Sequence, residues 1–348
     1  MSFPIFHLPA PKPLRLLFVT DLHAGGTVAN FIRPDAQGRP IYNGDPWERA
    51  DIMVGCIQKE VHAEGISAVF CLGDMVSNEA NTEDKVDNLS AEAAKKYKGT
   101  RFSHREQFII EHNIHHNGRF LSDSRKHPFF RRLVQEYMTR ISLPTFYLYA
   151  NHDDMNDAEW EDLLRYGKNY IVHFGDQLTI VCADNFHDPA PSPAHAIFGF
   201  GAGMSDISEE FYHFAQAEIQ GKKRVLLASH FPEETSMPRL AKLVRENDNV
   251  IGSVCGHTHR TTCRSFGGKP CCESGHFNFS SGFQVANQEN AAQSVGAWGF
   301  RCLEVCDESV ESWMVYPEVE YLPTPETNGF FQPRFSTRNT AHNGFVRF

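Results

Sequence analysis

The sequence predicts an α/β fold, because apolar segments of strand length alternate along the chain with segments of helical periodicity. A second observation accompanies this alternation: several of the apolar segments are followed at once by Asp, Asn or His. In α/β folds, the residues that form a site lie at the carboxyl ends of the strands. The sequence therefore predicts a polar site at one edge of a sheet.

The first half of the chain contains three predicted strands and two predicted helices. In order, these are a strand at 14–20, a helix at about 47–63, the strand "SAVFCL" at 67–72, a helix at about 129–141 and a strand at 145–149. The first helix is expected to begin with Asp45 as its N-cap, Pro46 at the first helical position and Glu48 completing a capping box. A long polar insertion, at about 77–127, separates the second strand from the second helix.

The second half continues the alternation. It contains predicted strands at 170–174, 178–183, 196–201, 224–229 and 249–255, helices at 207–220 and 238–247, and a hairpin over 299–317. The helix at 207–220 is expected to have a capping box of Asp206 and Glu209 and to stop at Gly221. From residue 322 the chain is rich in Pro, Asn and Thr, which predicts an irregular tail. The predicted organisation is one domain over 1–321, including the insertion, and a C-terminal tail over 322–348.

Charge and composition exclude several classes of protein. The 348 residues carry a net charge of −10, which argues against general binding to nucleic acid or to a membrane surface. The longest apolar runs have the length of strands, far below the roughly 20 residues of a membrane span. The cysteines are odd in number, at nine, and the N-terminus lacks the pattern of a secretory signal. A cytoplasmic protein with reduced thiols is therefore predicted.

The region around the insertion is basic. Residues 95–140 contain 11 Lys or Arg and 4 Asp or Glu, so this stretch is about +7 and the remainder of the chain about −17. It also contains five histidines, of which His112, His115 and His116 have helical spacing. Two interpretations stay open: a solvated, partly helical insertion, or a basic rim that attracts an anionic substrate.

Five predicted strands end in polar residues. The ends carry, in chain order, Asp21 and His23; Gly73 and Asp74; Asn151, His152 and Asp153; His230; and Gly256, His257, Thr258 and His259. Imidazole nitrogens together with carboxylate and amide oxygens form mixed ligand sets that suit Mn, Fe or Zn without a thiolate. These groups are too many for one ion and sufficient for two ions that share a carboxylate. Two such ions about 3.5–4 Å apart can clamp a phosphoryl group and acidify a bridging water.

The ordered series Asp-x-His, Gly-Asp, Asn-His-Asp, His and Gly-His-x-His, over residues 21–259, resembles the calcineurin-like metallophosphoesterase superfamily. The resemblance implies a metallophosphoesterase-type β-sandwich flanked by helices (α/β/β/α), here with a helical insertion, and a dimetal site along one edge. It further implies a ligand set: Asp21, His23 and His259 for the first metal, Asn151, His230 and His257 for the second, and Asp74 bridging. His152 resembles the general acid of the family, and the nucleophile would be the metal-bridging hydroxide.

The chain departs from the family pattern at two places. Ala150 stands where the family usually has Gly before Asn-His, so the turn there must suit a residue with a Cβ. Ser77 and Asn78 stand three and four residues after the bridging Asp, where the protein-phosphatase branch usually carries Asp and Arg. The usual partner that orients the catalytic histidine and a phosphate-binding Arg are therefore missing from their places. The candidates to orient His152 instead are Asp153, Asp154 and Asn78.

These features predict a dimetal-dependent phosphoesterase that hydrolyses a phosphodiester or nucleotide. The missing Asp and Arg favour such substrates over a phosphoprotein. The alternatives are a phosphoprotein (Ser/Thr or Tyr) phosphatase, a nuclease, which only the basic insertion supports, and a non-catalytic scaffold that has kept the fold. The expected cofactors are two divalent ions (Mn, Fe or Zn), and the expected partner is a phosphate-ester small molecule or nucleotide.

A group of late cysteines offers a different metal site. It comprises Cys263, Cys271, Cys272, Cys302 and Cys306. Cys302 and Cys306 lie in a predicted strand, where residues four apart are separated by about 13 Å. One zinc ion with Zn–S bonds of about 2.3 Å cannot join them there, so the interpretation as structural zinc is disfavoured.

Overall fold

The computed structural model describes nearly two thirds of the chain. The described residues are 3–24, 32–34, 40–42, 47–76, 127–150, 153, 155, 157–185, 206–232, 237–277, 299–322, 330–339 and 345–348. The strand predicted at 196–201 lies outside them, and so does all of the predicted insertion except His127. The boundary at residue 321 between domain and tail stays a prediction.

The described residues contain sixteen strands and five α-helices. The strands are β1 (Ile5–Leu8), β2 (Leu14–Val19), β3 (Ile32–Pro34), β4 (Pro40–Tyr42), β5 (Ala68–Cys71), β6 (Thr145–Tyr147), β7 (Tyr170–Phe174), β8 (Leu178–Ala183), β9 (Val225–Ser229), β10 (Val250–Cys255), β11 (Cys263–Phe266), β12 (Lys269–Glu273), β13 (Phe300–Val305), β14 (Val310–Leu322), β15 (Phe330–Asn339) and β16 (Phe345–Arg347). The helices are α1 (Glu48–Glu64), α2 (His127–Arg132), α3 (Asp157–Leu164), α4 (Glu209–Glu218) and α5 (Pro238–Glu246). Of these described helices, none combines the length and the apolar composition needed to cross a bilayer.

Two mixed sheets form the centre of the fold. The first has the strand order β1-β7-β8-β9-β10-β12-β11, and the second has the order β15-β14-β13-β2-β5-β6, with β16 paired to β14. Strands β2, β5 and β6 run parallel in the second sheet, as do β8, β9, β10 and β12 in the first. Because parallel neighbours end at the same edge, the polar residues that follow these strands come together there.

Alternate side chains of β2 lie in two different apolar cores. Leu14, Leu16 and Phe18 lie between the sheets, in a core that also contains side chains of β5, β7 and β8. Leu17 and Val19 lie in a second core, to which all five helices contribute. Both faces of the strand are buried, which explains its continuous apolar sequence. The predicted architecture of two packed sheets with helices outside is thus confirmed.

The beginning of α1 differs from the prediction. Its N-cap is Trp47, whose indole can only donate a hydrogen bond, so the expected capping box with Glu48 is not the capping device. Trp47 is buried and stacks on Tyr137, with ring centroids 5.3 Å apart, while the guanidinium of Arg132 lies 4.4 Å from its ring centre. Burial of an aromatic ring, rather than a polar cap, therefore fixes this end of the helix. Asp45 and Pro46 lie outside the described residues.

The helix predicted at 129–141 consists of three successive segments. After α2, Leu133–Tyr137 form a π-helix and Met138–Arg140 a 3-10 helix. Leu133, Tyr137 and Met138 are all buried. The wider turn thus lets all three side chains reach the core, and the prediction of one regular helix is wrong in its geometry.

Asp206 caps a different helix from the one predicted. The N-cap of α4 is Ser208, whose hydroxyl accepts a hydrogen bond from the backbone N–H of Phe211. The carboxylate of Asp206 accepts hydrogen bonds from the backbone N–H groups of Arg239 and Leu240, in the first turn of α5. Asp206 therefore joins the two helices, a non-local role that the local capping pattern did not reveal.

The irregular tail predicted from residue 322 contains strands instead. β15 pairs with β14 over nine residue pairs. β16 pairs with an earlier part of β14, at Glu311, Ser312 and Trp313. The backbone N–H of Phe348 donates to Val310 O at 2.9 Å, and its ring packs against Gly252 in β10. The polar composition of this segment was misleading because β14 supplies its strand pairing and β10 supplies a contact for the ring of Phe348.

We predict that Phe348→Ala lowers the free energy of unfolding by about 1–3 kcal/mol, because the ring is partly buried; a fully buried Phe costs roughly 3–5 kcal/mol. The matched control is Arg347→Ala, which removes an exposed ion pair with Glu311 and should change stability by no more than about 1 kcal/mol. Urea unfolding of the two variants makes the comparison. Equal stabilities would mean that the end of the chain does not pack on the sheets as described.

Candidate metal centre

Strained backbone conformations are concentrated at the edge where the polar strand ends meet. Six described residues other than glycine have a positive φ, and five of them are predicted metal ligands. These five are Asp21 (φ 52°), His23 (51°), Asp74 (51°), His257 (70°) and His259 (57°). A left-handed conformation of such residues costs about 1–3 kcal/mol each and persists only where the surroundings enforce it. The five residues therefore occupy tightly specified positions.

The first group of candidate ligands consists of Asp21, His23 and His259. The Nε2 atom of His259 lies 3.1 Å from Asp21 Oδ1 and 3.3 Å from His23 Nε2. His23 Nε2 lies 3.9 Å from Asp21 Oδ1. Ligand atoms bound to one ion at about 2.0–2.2 Å are separated by distances of this size. The three side chains thus fit a single divalent ion.

The second group consists of Asp74, His230 and His257, each of which offers a ligand atom within 4.8 Å of the others. His230 Nε2 lies 3.2 Å from Asp74 Oδ2. The same Asp74 oxygen lies 3.8 Å from His23 Nε2 of the first group. Asp74 is therefore the residue that joins the two groups. Together the two groups fit two divalent ions.

Hydrogen bonds orient the ligand atoms. Asp21 Oδ2 accepts from the hydroxyl of Thr20 at 2.7 Å and from the backbone N–H of His257 at 2.9 Å, which leaves Oδ1 directed at His259. The ring of His230 bonds through Nδ1 to Leu72 O at 2.8 Å, which assigns the proton to Nδ1 and leaves Nε2 to face Asp74. Asp21 Oδ1 and His230 Nε2 are buried atoms without a hydrogen-bond partner among the described residues. A cation between the groups would satisfy both atoms.

Electrostatics within the centre favour a cation. Burial by itself lowers the pKa of His230, but the adjacent Asp74 carboxylate outweighs this effect and raises the pKa to about 9. Burial likewise opposes charge on Asp21, yet the adjacent His259 holds the pKa of that carboxyl well below its usual range. The raised pKa of His230 shows that the carboxylates stabilise positive charge there, and the lowered pKa of Asp21 shows that its carboxylate stays ionised. A divalent ion would compete with protons for the same nitrogen atoms.

Two glycines allow the strand ends to approach one another. A Cβ on Gly73 would clash with the Cβ of Ala150 and would lie 2.8 Å from His230 Nδ1. A Cβ on Gly256 would clash with the hydroxyl of Thr20 and would lie 2.8 Å from Asp21 Oδ2. Ala150, the departure from the family pattern, therefore packs against the glycine that precedes Asp74. The backbone near the candidate ligands is too close to its neighbours for any larger residue at these two positions.

Asp153 holds the loop that carries Asp74. Its Oδ2 accepts from the backbone N–H of Asp74 at 3.1 Å, and its Oδ1 accepts from Met75 at 2.9 Å and from Val76 at 3.4 Å. The side chain is fully buried, and burial together with the nearby Asp74 charge raises its pKa. Both carboxylate oxygens thus accept hydrogen bonds from backbone amides, which gives Asp153 a role in supporting the Asp74 loop.

The remaining predicted site residues cannot be placed. Asn151, His152, Asp154 and Asn78 lie outside the described residues. The late cysteines are all described, and none of them belongs to a group of three or more metal-ligating side chains within the described ranges.

The sequence analysis missed two residues that border the centre. The ring of His276 stacks on that of His259, with centroids 5.4 Å apart and an interplanar angle of 18°. The side chain of Asn185 binds both backbone groups of Phe231, donating to its carbonyl at 2.8 Å and accepting from its N–H at 3.2 Å. Phe231 directly follows His230, so Asn185 fixes the backbone beside a candidate ligand. Each missed residue follows the end of a strand, which is the signal that could have found it.

Comparisons with known proteins support the fold. No protein-family model matches the sequence, and neither does any curated protein sequence. Among solved structures, a dimetal phosphatase from Danio rerio is 11% identical with a TM-score of 0.52, over 86% of this chain and 95% of that chain. GAP50, the anchor in the inner membrane complex of Plasmodium, is 13% identical with a TM-score of 0.43, over 87% and 84%. A 5′-nucleotidase precursor from Thermus thermophilus is 11% identical with a TM-score of 0.39, over 94% of this chain and 54% of that one.

The first of these similarities establishes the architecture. At 11% identity it shows the fold alone, and the two weaker similarities add no argument. The chain spans about half the length of the nucleotidase. The protein therefore has the metallophosphoesterase-type fold, with two packed sheets and outer helices, that its sequence predicted.

We predict that Asp153→Asn lowers the affinity for divalent metal by about 10–100-fold, the usual effect of losing a residue that supports ligands. An amide offers one acceptor oxygen, so its NH2 group would face a backbone N–H of the Asp74 loop. Metal titration against a chromophoric chelator measures the change. Asp162→Asn is the matched control, because Asp162 is exposed and pairs with the surface arginines Arg131 and Arg165. Affinity equal to that of the control would contradict the role given to Asp153.

Proposed function

Because the chain has the metallophosphoesterase fold, we propose that it is a dimetal-dependent phosphoesterase. One observation carries the proposal: two groups of candidate ligands lie side by side at one sheet edge, and the Asp74 carboxylate lies within 3.8 Å of an imidazole from each group. A carboxylate in this position suits a bridge between two ions. The five candidate ligands with a left-handed backbone are strained, and this strain lowers stability. A non-catalytic scaffold would gain nothing from such strain, so the strain favours an enzyme over a scaffold.

The ligand set supports Mn, Fe or Zn as the cofactors. Imidazole nitrogen and carboxylate oxygen suit these ions, whereas Mg and Ca prefer oxygen alone. When bound, two such ions lower the pKa of a water molecule and stabilise charge on the oxygens of a phosphoryl group. We assign the first ion to Asp21, His23 and His259. We assign the second to His230, His257 and Asn151, with Asp74 shared.

Position in the chain supports roles for Asn151 and His152. Only these two residues separate Ala150, which packs on Gly73, from Asp153, which binds the Asp74 loop. Both neighbours in the sequence therefore contact the segment that carries the proposed bridge. We propose that Asn151 completes the second ligand group through its side-chain oxygen. His152 would then deliver a proton to the leaving oxygen of the substrate.

A phosphodiester or nucleotide is the proposed substrate class. Ser77 and Asn78 stand where the protein-phosphatase branch carries Asp and Arg, so the chain lacks that branch's means of holding a phosphate monoester. The centre itself offers imidazoles and carboxylates, whose partners are metal ions rather than substrate phosphate. The alternative, a phosphoprotein phosphatase, would require another cation to take the place of the missing Arg. We also propose a reducing, cytoplasmic setting, since all nine cysteines are thiols rather than disulfides.

A hydrolysis panel tests the proposal. Protein stripped with a chelator and reloaded with Mn is assayed on bis-p-nitrophenyl phosphate, p-nitrophenyl phosphate, cyclic nucleotides and a phosphopeptide. We expect loss of activity on stripping, recovery with Mn, and higher kcat/KM for a diester or nucleotide than for the phosphopeptide. Asp74→Asn should lose both activity and metal, since a neutral amide bridges two dications poorly, and Asp162→Asn should retain both. Hydrolysis by Asp74→Asn at the wild-type rate, or no hydrolysis of any substrate, would refute the proposal.

We predict that His152→Ala binds both metals yet loses roughly 10²–10⁴-fold in kcat, the usual contribution of a positioned acid or base. The loss should be smaller for substrates with acidic leaving groups, which need little protonation. A series of aryl diesters whose leaving groups differ in pKa measures this trend. His213→Ala, on the exposed surface of α4, serves as the control. A loss of the same size across the series would mean that His152 does not protonate the leaving oxygen.

A further inference from the structure

Two cysteines face each other in the hairpin that follows the Gly-His-x-His motif. β11 and β12 pair antiparallel, with Cys263 directly opposite Cys272. Their sulfur atoms lie 3.1 Å apart. A disulfide bond is about 2.05 Å long, so a relative movement of about 1 Å would bring the two atoms to bonding distance. Both residues are thiols in the structure.

The ladder places this pair at a position that can be bridged. The backbone N–H of Glu273 donates to Thr262 O at 2.8 Å, which identifies Thr262 and Glu273 as a hydrogen-bonded pair. Pairs alternate along an antiparallel ladder, so Cys263 and Cys272 form the next, non-hydrogen-bonded pair, whose Cα atoms are typically about 4.5 Å apart. That separation lies within the range of about 4.4–6.8 Å found for disulfides. The backbone can therefore accept the bond with little rearrangement.

The two thiols differ in a way that suits successive steps of oxidation. Cys263 is partly exposed, whereas Cys272 is buried. The hydrogen bond from Cys272 and the buried guanidinium of Arg301 lower the pKa of Cys263, whereas that same hydrogen bond, followed by burial, raises the pKa of Cys272. Arg301 is held in place by Ser312, at 2.7 Å, and by Glu273 O, at 3.1 Å. Cys263 is thus the accessible, more acidic thiol, and Cys272 is the neighbour that can resolve its oxidised form.

The hairpin continues directly into the candidate metal centre. The ladder ends at the pair Cys263 and Cys272, and from there the two segments continue side by side toward His259 and His276, whose rings stack. A hydrogen bond from Gly275 N to Arg260 O, at 2.8 Å, continues the pairing between them. His259 and Gly275 have left-handed backbone conformations (φ 57° and 83°), so the chain turns at this candidate ligand, and the hydrogen bond through Arg260 joins that turn to the hairpin. A change in strand separation at the cysteines therefore acts on a candidate ligand.

We infer that Cys263 and Cys272 form a redox modification site, in which a peroxide oxidises the thiol pair to a disulfide and thereby weakens metal binding through His259. The Cys263 sulfur attacks one peroxide oxygen and breaks the O–O bond, which gives a sulfenic acid and one water. The Cys272 thiol then displaces the sulfenic oxygen as a second water and forms the S–S bond. One peroxide is reduced by two electrons, both supplied by the thiols, and a thiol or phosphine reductant reverses the reaction.

The first arm of the test identifies the bond. Full-length protein is treated with hydrogen peroxide, alkylated, digested with trypsin and analysed by mass spectrometry, since cleavage after Arg264 separates the two cysteines. We expect a cross-linked peptide pair that disappears after reduction with a phosphine. Cys263→Ser and Cys272→Ser should each abolish it. Cys271→Ser is the matched control and should retain it, because Cys271 points to the opposite face of the strand. The assignment is overturned if the cross-linked peptide pair disappears in Cys271→Ser, or if it persists in Cys263→Ser or Cys272→Ser.

The second arm measures the effect on the centre. Metal affinity of the reduced and oxidised forms is compared by competition with a chromophoric chelator. We expect the oxidised form to have about 10–100-fold lower metal affinity at one of the two proposed metal sites, as is usual when a residue next to a metal ligand is disturbed. The Cys272→Ser variant should show no such loss after peroxide. Unchanged affinity in the cross-linked protein overturns the coupling. The effect rests on the proposed metal centre but not on turnover, so a protein that binds metal and hydrolyses nothing would refute the proposed function and leave this test decisive.

Discussion

The fold depends on the contacts that Asp21 makes at the end of β2. Its backbone N–H donates to Gly73 O, and its carbonyl accepts from Phe277 N, so residues after β5 and β12 are tied to it. Its carboxylate accepts from His257 N, which follows β10 in the other sheet. One residue thus fastens together strand ends from both sheets of the sandwich. The same carboxylate presents its second oxygen to His259, so the contact that closes the edge also begins the candidate metal centre.

The strained conformations follow from this arrangement. Ligand side chains from separate strands can converge on one point only if the chain reverses sharply after each strand, and here the reversals fall on Asp and His as well as on glycine. Five left-handed residues at about 1–3 kcal/mol each represent a large fraction of the stability of an ordinary domain. The buried cores on both faces of the sheets offset this cost, and bound metal would offset more.

The sequence predicted well those features that depend on local patterns. Strand ends such as Asp21–His23 and His257–His259 were recognised because apolar runs are followed at once by ligand-type residues. Features that depend on distant partners were predicted poorly. Asp206 looked like the cap of α4 and caps α5, and the tail looked irregular although β14 supplies its pairing. The hairpin of β11 and β12 was missed although Gly267 and Gly268 mark its turn. Asp153 could be suspected of a supporting role, but the three amides that it binds are 77–79 residues away.

The most direct test of the account is the position of metal ions in crystals of the protein soaked in Mn and measured near an absorption edge of that metal. The account predicts two anomalous peaks about 3.5–4 Å apart. One should lie within bonding distance of Asp21, His23 and His259, the other within bonding distance of His230 and His257, with Asp74 contacting both. A single peak, or two peaks that do not share Asp74, would contradict a dimetal centre at this edge.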